Sequence, residues 1–238
     1  KNNHIFIEPE SGELASGLEG KGRLAEPENI VEFISQHLQS LMPLYGKKVL
    51  ITAGPTYEAI DPVRFIGNHS SGKMGYEIAK VALNLGAEVI LISGPTHLSL
   101  SHANLKLINI KTADEMLDQA MRYYNEVDIA IASAAVSDYK PKTVFDQKVK
   151  KTEDNLIIEL VKNPDILKTM GELKKHQFLV GFALETNDEI NHAKQKLEKK
   201  NLDFIVLNSL NDKGAGFKSD TNKISIITKE NIKRFDTK

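Results

Sequence analysis

The chain contains no cysteine and no tryptophan, and aromatic residues make up only 6% of its 238 positions. Without cysteine there can be no disulfide, thiolate metal ligand or cysteine nucleophile within these residues, and the composition points to a reducing compartment. Neither sign of charge predominates, with 31 Lys plus Arg against 32 Asp plus Glu. No global field would then draw the protein to nucleic acid or to an anionic membrane, and neither is expected as a partner. No apolar run approaches the roughly 18 residues of a spanning helix, and no signal-peptide pattern opens the chain, so a cytoplasmic location is expected. The seven histidines are scattered; His97 and His102 lie in a Ser-rich loop without forming a metal pair, and no protein-held metal is expected. A G-x-S-x-G nucleophile elbow is also missing. What remains is a chain 41% apolar, enough to bury a substantial core. Its first residue is Lys rather than Met, which suggests a piece of something longer.

Against these absences stands Gly67-Asn68-His69-Ser70-Ser71-Gly72-Lys73-Met74-Gly75, which gathers glycines, hydroxyls and one cation. Met74, Ile78, Val81 and Leu85 then recur at helical spacing. A loop entering a helix presents N–H groups at the positive end of its dipole and suits a phosphoryl anion, while glycine lets ligand oxygens come close. The spacing Gly67-x4-Gly72-Lys73 imitates a Walker A loop, but Met74 stands where Ser or Thr would hold Mg²⁺. The loop also begins about fourteen residues beyond the β-rich run Lys48 to Ala53, whereas a P-loop turns straight off its strand. A different phosphate-holding loop fits better than an ordinary P-loop NTPase, with a ligand-free glycine turn as the alternative.

Residues 1–26 are glycine-rich and too short and polar for a core of their own; they resemble the tail of a preceding domain. Residues 27–45 form a helical linker, with Ile30, Ile34, Leu38 and Leu41 on one side and Pro43 with Gly46 ending it. From residue 46 to 238 strands and helices alternate as in a doubly wound parallel sheet, with strands expected at 48–53, 87–93, 105–110 and 128–133. Thr112 with Glu115 reads as a capping box. Further on, the pattern predicts a strand over 155–160, a helix capped by Asn163 with Pro164 at its first position, a strand over 178–182, a helix over 188–200, and strands at 203–207 and 224–228. Two Gly-Pro-Thr triplets, 54–56 and 94–96, follow strand ends, where such sheets bind ligands. A nicotinamide-dinucleotide site is disfavoured, because G-x-G-x-x-G is missing after the first strand and Ser93 stands where an acid would close the second.

Three other segments carry chemistry. In Ser133-Ala134-Ala135-Val136-Ser137-Asp138-Tyr139, small side chains would let a bulky ligand touch backbone N–H groups and Asp138 could accept from it; a turn capped by Asp138 is the plainer alternative. Lys148-Val149-Lys150-Lys151 alternates like an exposed strand or loop, yet a lysine here could neutralise a transferring phosphoryl group. Lys196 and Lys200 share a helix face, solvated by default and triphosphate-binding only in context.

Taken in order, Thr52 to Thr56, Asp61 to Ile66 running into Asn68 to Gly75, Ala134 to Tyr139, Lys148 to Lys151, Lys162 to Ile166, Val180 to Thr186, Gly216-Phe217 and Ser219-Asp220 resemble the phosphopantothenoylcysteine synthetase family, the second half of bacterial bifunctional decarboxylase/synthetases of coenzyme A biosynthesis. The resemblance implies an α/β fold: a Rossmann-like, doubly wound, mostly parallel sheet with flanking helices and an extra β segment. It implies that CTP activates the carboxylate of 4'-phosphopantothenate as an acyl-cytidylate with loss of pyrophosphate, and that the amine of L-cysteine then displaces CMP. Mg²⁺ would be held mainly by triphosphate oxygens rather than by a protein metal site.

By the same resemblance, Asn68 holds the acyl-cytidylate and supports its conversion, Lys148 assists its formation, and Arg64 reaches phosphopantothenate from the other subunit of a homodimer. Ala134, Ala135 and Asp138 wall the substrate and nucleotide. The nucleotide set comprises Gly54, Ser71, Gly72, Lys73 and Met74 on one side, and Asn163, Pro164, Asp165, Ile166, Phe182, Lys196 and Lys200 on the other, with Asp138 and Lys148 contributing to both nucleotide and reaction. Two departures stand out. Residues 12–27 resemble the end of the decarboxylase half, but Ser16 occupies the place of its usual cysteine, and the chain stops at Lys238 where the family commonly continues. FMN and decarboxylation are accordingly expected only from the missing decarboxylase part of a parent protein. A fragment that binds nucleotide or dimerises without turnover is the competing expectation, and CMP release separates the two.

Overall fold

The computed structural model describes residues 4–150, 156–185, 187–209 and 223–236; Lys151, Thr186, Gly216, Phe217, Ser219 and Asp220 of the motifs above lie outside them. The polar N-terminal stretch forms an antiparallel hairpin, β1 (Glu10–Glu13) with β2 (Glu19–Arg23), and Ser16 sits in its turn. The helix α1 (Pro27–Ser40) follows, begun by Pro27 as its composition predicts, and buries none of its residues.

The frame then assembles from β3 (Lys48–Ala53), the hairpin of β4 (Tyr57–Ala59) and β5 (Phe65–Gly67), α2 (Lys73–Asn84), β6 (Glu88–Ser93), β7 (Leu105–Asn109), α3 (Ala113–Tyr124) and β8 (Ile129–Ala132). It continues through β9 (Tyr139–Pro141), β10 (Leu160–Lys162), α4 (Ile166–Leu173), β11 (Phe178–Glu185), α5 (Glu189–Lys199), β12 (Phe204–Ser209), β13 (Ile224–Ile227) and β14 (Ile232–Phe235). Eight strands form one sheet in the order β14-β13-β12-β11-β8-β3-β6-β7, parallel from β12 to β7, with β13 and β14 added antiparallel. This is the expected doubly wound architecture with an extra β segment.

Over β3 and β6 both faces of the sheet are covered, which is why these strands read as nearly continuous apolar runs. Along β3, Val49, Ile51 and Ala53 pack with Tyr76, Ala79 and Leu83 of α2, whereas Leu50 joins Met116, Ala120 and Tyr124 of α3 and, beyond them, Met170 of α4 and Leu197 of α5. Each fully buried Val, Leu, Ile or Met among them contributes about 1.5–3 kcal/mol by leaving water. The α3 capping box forms as predicted, Thr112 accepting from the Glu115 amide and Glu115 from Thr112.

Two expectations need correction. The helix after Asn163-Pro164 begins two residues later, at Ile166 with Asp165 as its cap, because Asn163 is engaged elsewhere. The strand expected over 155–160 forms instead at β10, Leu160–Lys162, where β9 supplies an antiparallel partner; Leu156 and Ile157 are exposed. The short hairpins β1–β2 and β4–β5, and strands β9 and β14, were not anticipated, since segments of a few residues carry too little periodicity.

Candidate active site

Strand order reverses between β3 and β8, and the segments leaving their carboxyl ends separate there to open the crevice typical of such sheets. Those segments are zipped together at their roots. The Ala135 amide donates to Gly54 O at 2.9 Å, Ser133 Oγ to Thr52 O at 2.7 Å, and the Ala134 and Ser137 amides to the hydroxyls of Thr52 and Thr56 at 3.3 and 2.9 Å. Asp138 does not close this turn by capping it; Ser137 Oγ donates to Tyr139 O, and the Asn163 amide donates to Asp138 O. Asp138 is left exposed at the crevice.

A cleft of about 490 Å³ opens here, walled by Ala134 and Asp138 from one segment, Asn163, Pro164, Asp165 and Ile166 from another, Phe182 from β11, and Lys196 and Lys200 from the end of α5. Chain segments remote in sequence thus bring together half of the residues anticipated for substrate and nucleotide. Asn163 donates through Nδ2 to Ser137 O at 2.9 Å and is thereby lost as a helix cap. Its Oδ1 is buried without a hydrogen-bond partner, an acceptor that a ligand donor would satisfy.

Asp165 takes over the cap by accepting from the Lys168 amide at 3.0 Å, and also receives Lys200 Nζ at 2.9–3.0 Å. Burial works against the Asp165 charge, but the bonds from Lys200 and Lys168 and the nearby cations prevail and hold its carboxyl below the usual carboxylate range. Lys196 Nζ donates to Phe182 O at 2.9 Å. Gly171 makes this convergence possible: a Cβ there would stand 2.0 Å from Lys200 O, so only glycine lets α4 reach the end of α5. Two cations on one wall, with a buried acceptor opposite in kind, suit a ligand with anionic and hydrogen-donating parts.

The glycine loop adjoins the other side of the same root. Gly72 adopts φ 77° at the start of α2, beside Gly54, and a Cβ at Gly75 would meet Ala53 Cβ at 2.5 Å and Ser133 Oγ at 2.8 Å. Asn68 Nδ2 donates to Val136 O at 2.9 Å, tying the loop to the cleft wall. The amides of Gly72 and Lys73 are turned to the hydroxyls of Ser70 and Ser71 at 3.2 and 3.4 Å, long bonds that an anion could replace. Gly54, Asn68, Gly72 and Ala135 adjoin the cleft wall through these contacts; neither they nor Ser71, Lys73 and Met74 of the same loop line the cleft itself.

Arg64 and Lys148 lie apart from the cleft lining, on and beside the β4–β5 hairpin. Arg64 is paired with Asp61 and donates to Val149 O at 3.0 Å; Lys148 is exposed. Thr52, Val136, Ser137, Tyr139, Lys162 and Leu167 also line the cleft and had no assigned role. The available signal was adjacency, since nearly all stand within segments already singled out. A second cleft of about 650 Å³, between Tyr76, Thr96, Leu107 and Lys111, is larger but has one lining cation and lies toward the outer strands. No group of His, Cys, Asp and Glu able to hold a metal occurs among the described residues.

With this geometry in place, likeness to known proteins becomes informative. Residues 44–238 match the DNA/pantothenate metabolism flavoprotein C-terminal domain family. A cysteine/cysteine sulfinic acid decarboxylase of an unknown prokaryotic organism is 52% identical over 99% of this chain and 67% of its own length. The coenzyme A biosynthesis bifunctional protein CoaBC of Bacillus subtilis (strain 168) is 50% identical over 98% of this chain, which spans only 58% of that protein. Among solved structures, the C-terminal domain of a CoaBC protein superposes with a TM-score of 0.69 at 44% identity, covering 81% of this chain and 87% of that one. A Cab2 mutant in complex with phosphopantothenate-cysteine shares the fold, with a TM-score of 0.65 at 21% identity over 89% of each chain.

Proposed function

The chain belongs to the DNA/pantothenate metabolism flavoprotein C-terminal domain family, and on that premise we propose that it is a phosphopantothenate–cysteine ligase of coenzyme A biosynthesis, driven by CTP. The observation that carries this reading is the switch-point cleft, where Lys196, Lys200 and the unpartnered Asn163 Oδ1 converge beside the Gly72 loop. CoaBC proteins, to which it is similar at about half of all positions, are named for bifunctional action in that synthesis. Decarboxylation and its FMN belong, on this reading, to the decarboxylase half of a longer parent protein, since this chain spans 58% of the CoaBC relative.

A carboxylate is a poor acyl donor, and converting it to a mixed anhydride splits one difficult step into two easier ones. In the first, a carboxylate oxygen of 4'-phosphopantothenate bonds to the α-phosphorus of CTP and pyrophosphate departs. Lys196 and Lys200 hold the triphosphate, with Gly54, Ser71, Gly72, Lys73 and Met74 on its other side, and Lys148 offsets charge on the reacting phosphoryl group. Mg²⁺ would accompany the triphosphate and offset its charge, held mainly by phosphate oxygens, since no group of His, Cys, Asp and Glu able to hold a metal occurs among the described residues. Asn163 Oδ1 accepts from the nucleotide, and Asp138 with Ala134 and Ala135 walls the reacting groups. In the second step the cysteine amine bonds to the acyl carbon, CMP leaves, and Asn68 donates where the carbonyl oxygen gains charge.

A homodimer completes the reading. Val63, Phe65, Tyr139, Val144, Phe145 and Leu160 are all exposed on or near the β4–β5 and β9–β10 hairpins, an apolar surface suited to a second copy. Arg64 stands on the same hairpin, where it would meet the phosphate of phosphopantothenate bound by the partner. The cytoplasm fits a chain in which no described helix is long and apolar enough to cross a membrane. The deciding experiment measures CMP release with CTP, Mg²⁺, 4'-phosphopantothenate and cysteine, omitting each in turn. Release that needs both CTP and phosphopantothenate, with coupled product needing cysteine, supports the ligase; CTP binding without release supports a binding fragment instead.

A further inference from the structure

Asp61 is 2% exposed, in the turn between β4 and β5, and its two carboxylate oxygens have different partners. Oδ1 accepts from the amides of Val63 and Arg64, each at 2.9 Å, and closes the turn in which the Ile60 and Asp61 amides donate to Arg64 O. An asparagine would serve such a turn equally well. Oδ2 looks outward from it, accepting from Arg64 Nε at 3.0 Å and from the Val149 amide at 3.2 Å, 88 positions away. Arg64 Nη2 bridges Asp61 Oδ2 and Val149 O, so both backbone groups of Val149 are gripped by one ion pair. The Phe145 amide, donating to Ile60 O at 2.9 Å, lays the preceding residues along the same turn.

A buried carboxylate costs free energy to desolvate, and the bonds from Arg64 and Val149 offset that cost although the local turn needs neither. The Arg64 guanidinium, foremost among these partners, holds the Asp61 carboxyl well below the usual carboxylate range. What the second oxygen accomplishes is to immobilise the backbone beside Lys148, whose neighbours Gln147 and Lys150 are exposed. Resting on the ligase reading above, we infer that Asp61 is a positioning residue for acyl-cytidylate formation, holding Val149 so that Lys148 is presented from a fixed backbone.

Asp61→Asn keeps the turn acceptor but replaces the outward oxygen with a donor or weakens its hold on Arg64. Misplacement on this scale is expected to slow pyrophosphate release roughly 10- to 100-fold. The KM for CTP should stay within about twofold, as should cysteine capture of preformed acyl-cytidylate, because other elements build the nucleotide cleft. In a Lys148→Ala background, Asp61→Asn should add less than about twofold, since the two act as one unit. Losses that multiply in the double variant, or an undiminished rate in Asp61→Asn, overturn the inference. Hydrogen exchange on the unmodified protein tests it without a variant: the Val149 amide should exchange more slowly than those of Lys148 and Lys150, and equally fast exchange overturns the clamp. Failure of the unmodified chain to release pyrophosphate with both substrates present overturns the ligase reading and this inference with it, whereas normal release with multiplying losses overturns only the latter.

Discussion

The elements around the β3 and β8 carboxyl ends bury their apolar faces in two clusters, whereas the described residues within 57–67 and 139–162, carrying the paired strands β4–β5 and β9–β10, contribute nothing to either. These pairs are fastened by polar groups instead. Buried Glu58 accepts from the Ala113 amide at the start of α3 at 2.9 Å, the Tyr57 amide donates to Lys111 O at 2.7 Å, and Asp61 with Arg64 grips Val149. Apolar packing is strong and tolerant of direction; hydrogen bonds contribute less each but fix orientation. Damage to the frame should therefore unfold the protein, while damage along the loops and hairpins should misplace reacting groups in a chain that stays folded.

The sharpest test of this contrast is Asn68→Ala, at the end of the β5 segment. It should slow product formation about 10²- to 10³-fold. CTP affinity and melting temperature should stay nearly unchanged, and normal single-turnover rates would remove Asn68 from the mechanism. Next in size is Lys200→Ala, which removes a charge-assisted contact worth about 1.5–3 kcal/mol. Calorimetric titration should show CTP binding roughly 10- to 100-fold weaker and phosphopantothenate binding little altered; equal weakening of both would move the triphosphate elsewhere.

Gly75→Ala examines the frame itself, since the added methyl must push α2 from Ala53 and Ser133. A urea melt should register a loss of about 1–3 kcal/mol. The smallest effect belongs to Tyr124→Phe. Tyr124 is 1% exposed with a hydroxyl lacking a partner, and burial, then the charge of Asp203, raises its pKa from 10.0 to about 12. Between those values the folded chain retains a proton that the unfolded chain releases, so stability is intact below pH 10 and declines as pH rises toward 12. Phe at this position should leave neutral stability within about 1 kcal/mol and flatten part of the alkaline loss in melts at pH 7 and 11. An unaltered alkaline slope would assign that loss to other groups.

Much of the frame was legible because its signals are local or periodic. Val49, Leu50 and Ile51 announce a strand buried on both faces, and Thr112 with Glu115 caps α3 through residues three apart, so neither needs knowledge of a distant partner. The cleft segments were legible as motifs, but not their roles within it. Asn163-Pro164 has the local chemistry of a helix start, yet Asn163 turns to Ser137 and Asp138 and leaves capping to Asp165. Tertiary contacts decided this, for a residue whose side-chain and backbone N–H groups each satisfy a carbonyl of another loop gains more there than at a cap that a neighbour can supply. They likewise decided the strand order, the approach of Lys200 to Asp165 across Gly171, and the grip of Asp61 on Val149. By itself the sequence determined the helices and long strands of the frame, because those preferences act over a few residues; the short paired strands, and which side chains meet, were settled only when packing brought distant segments together.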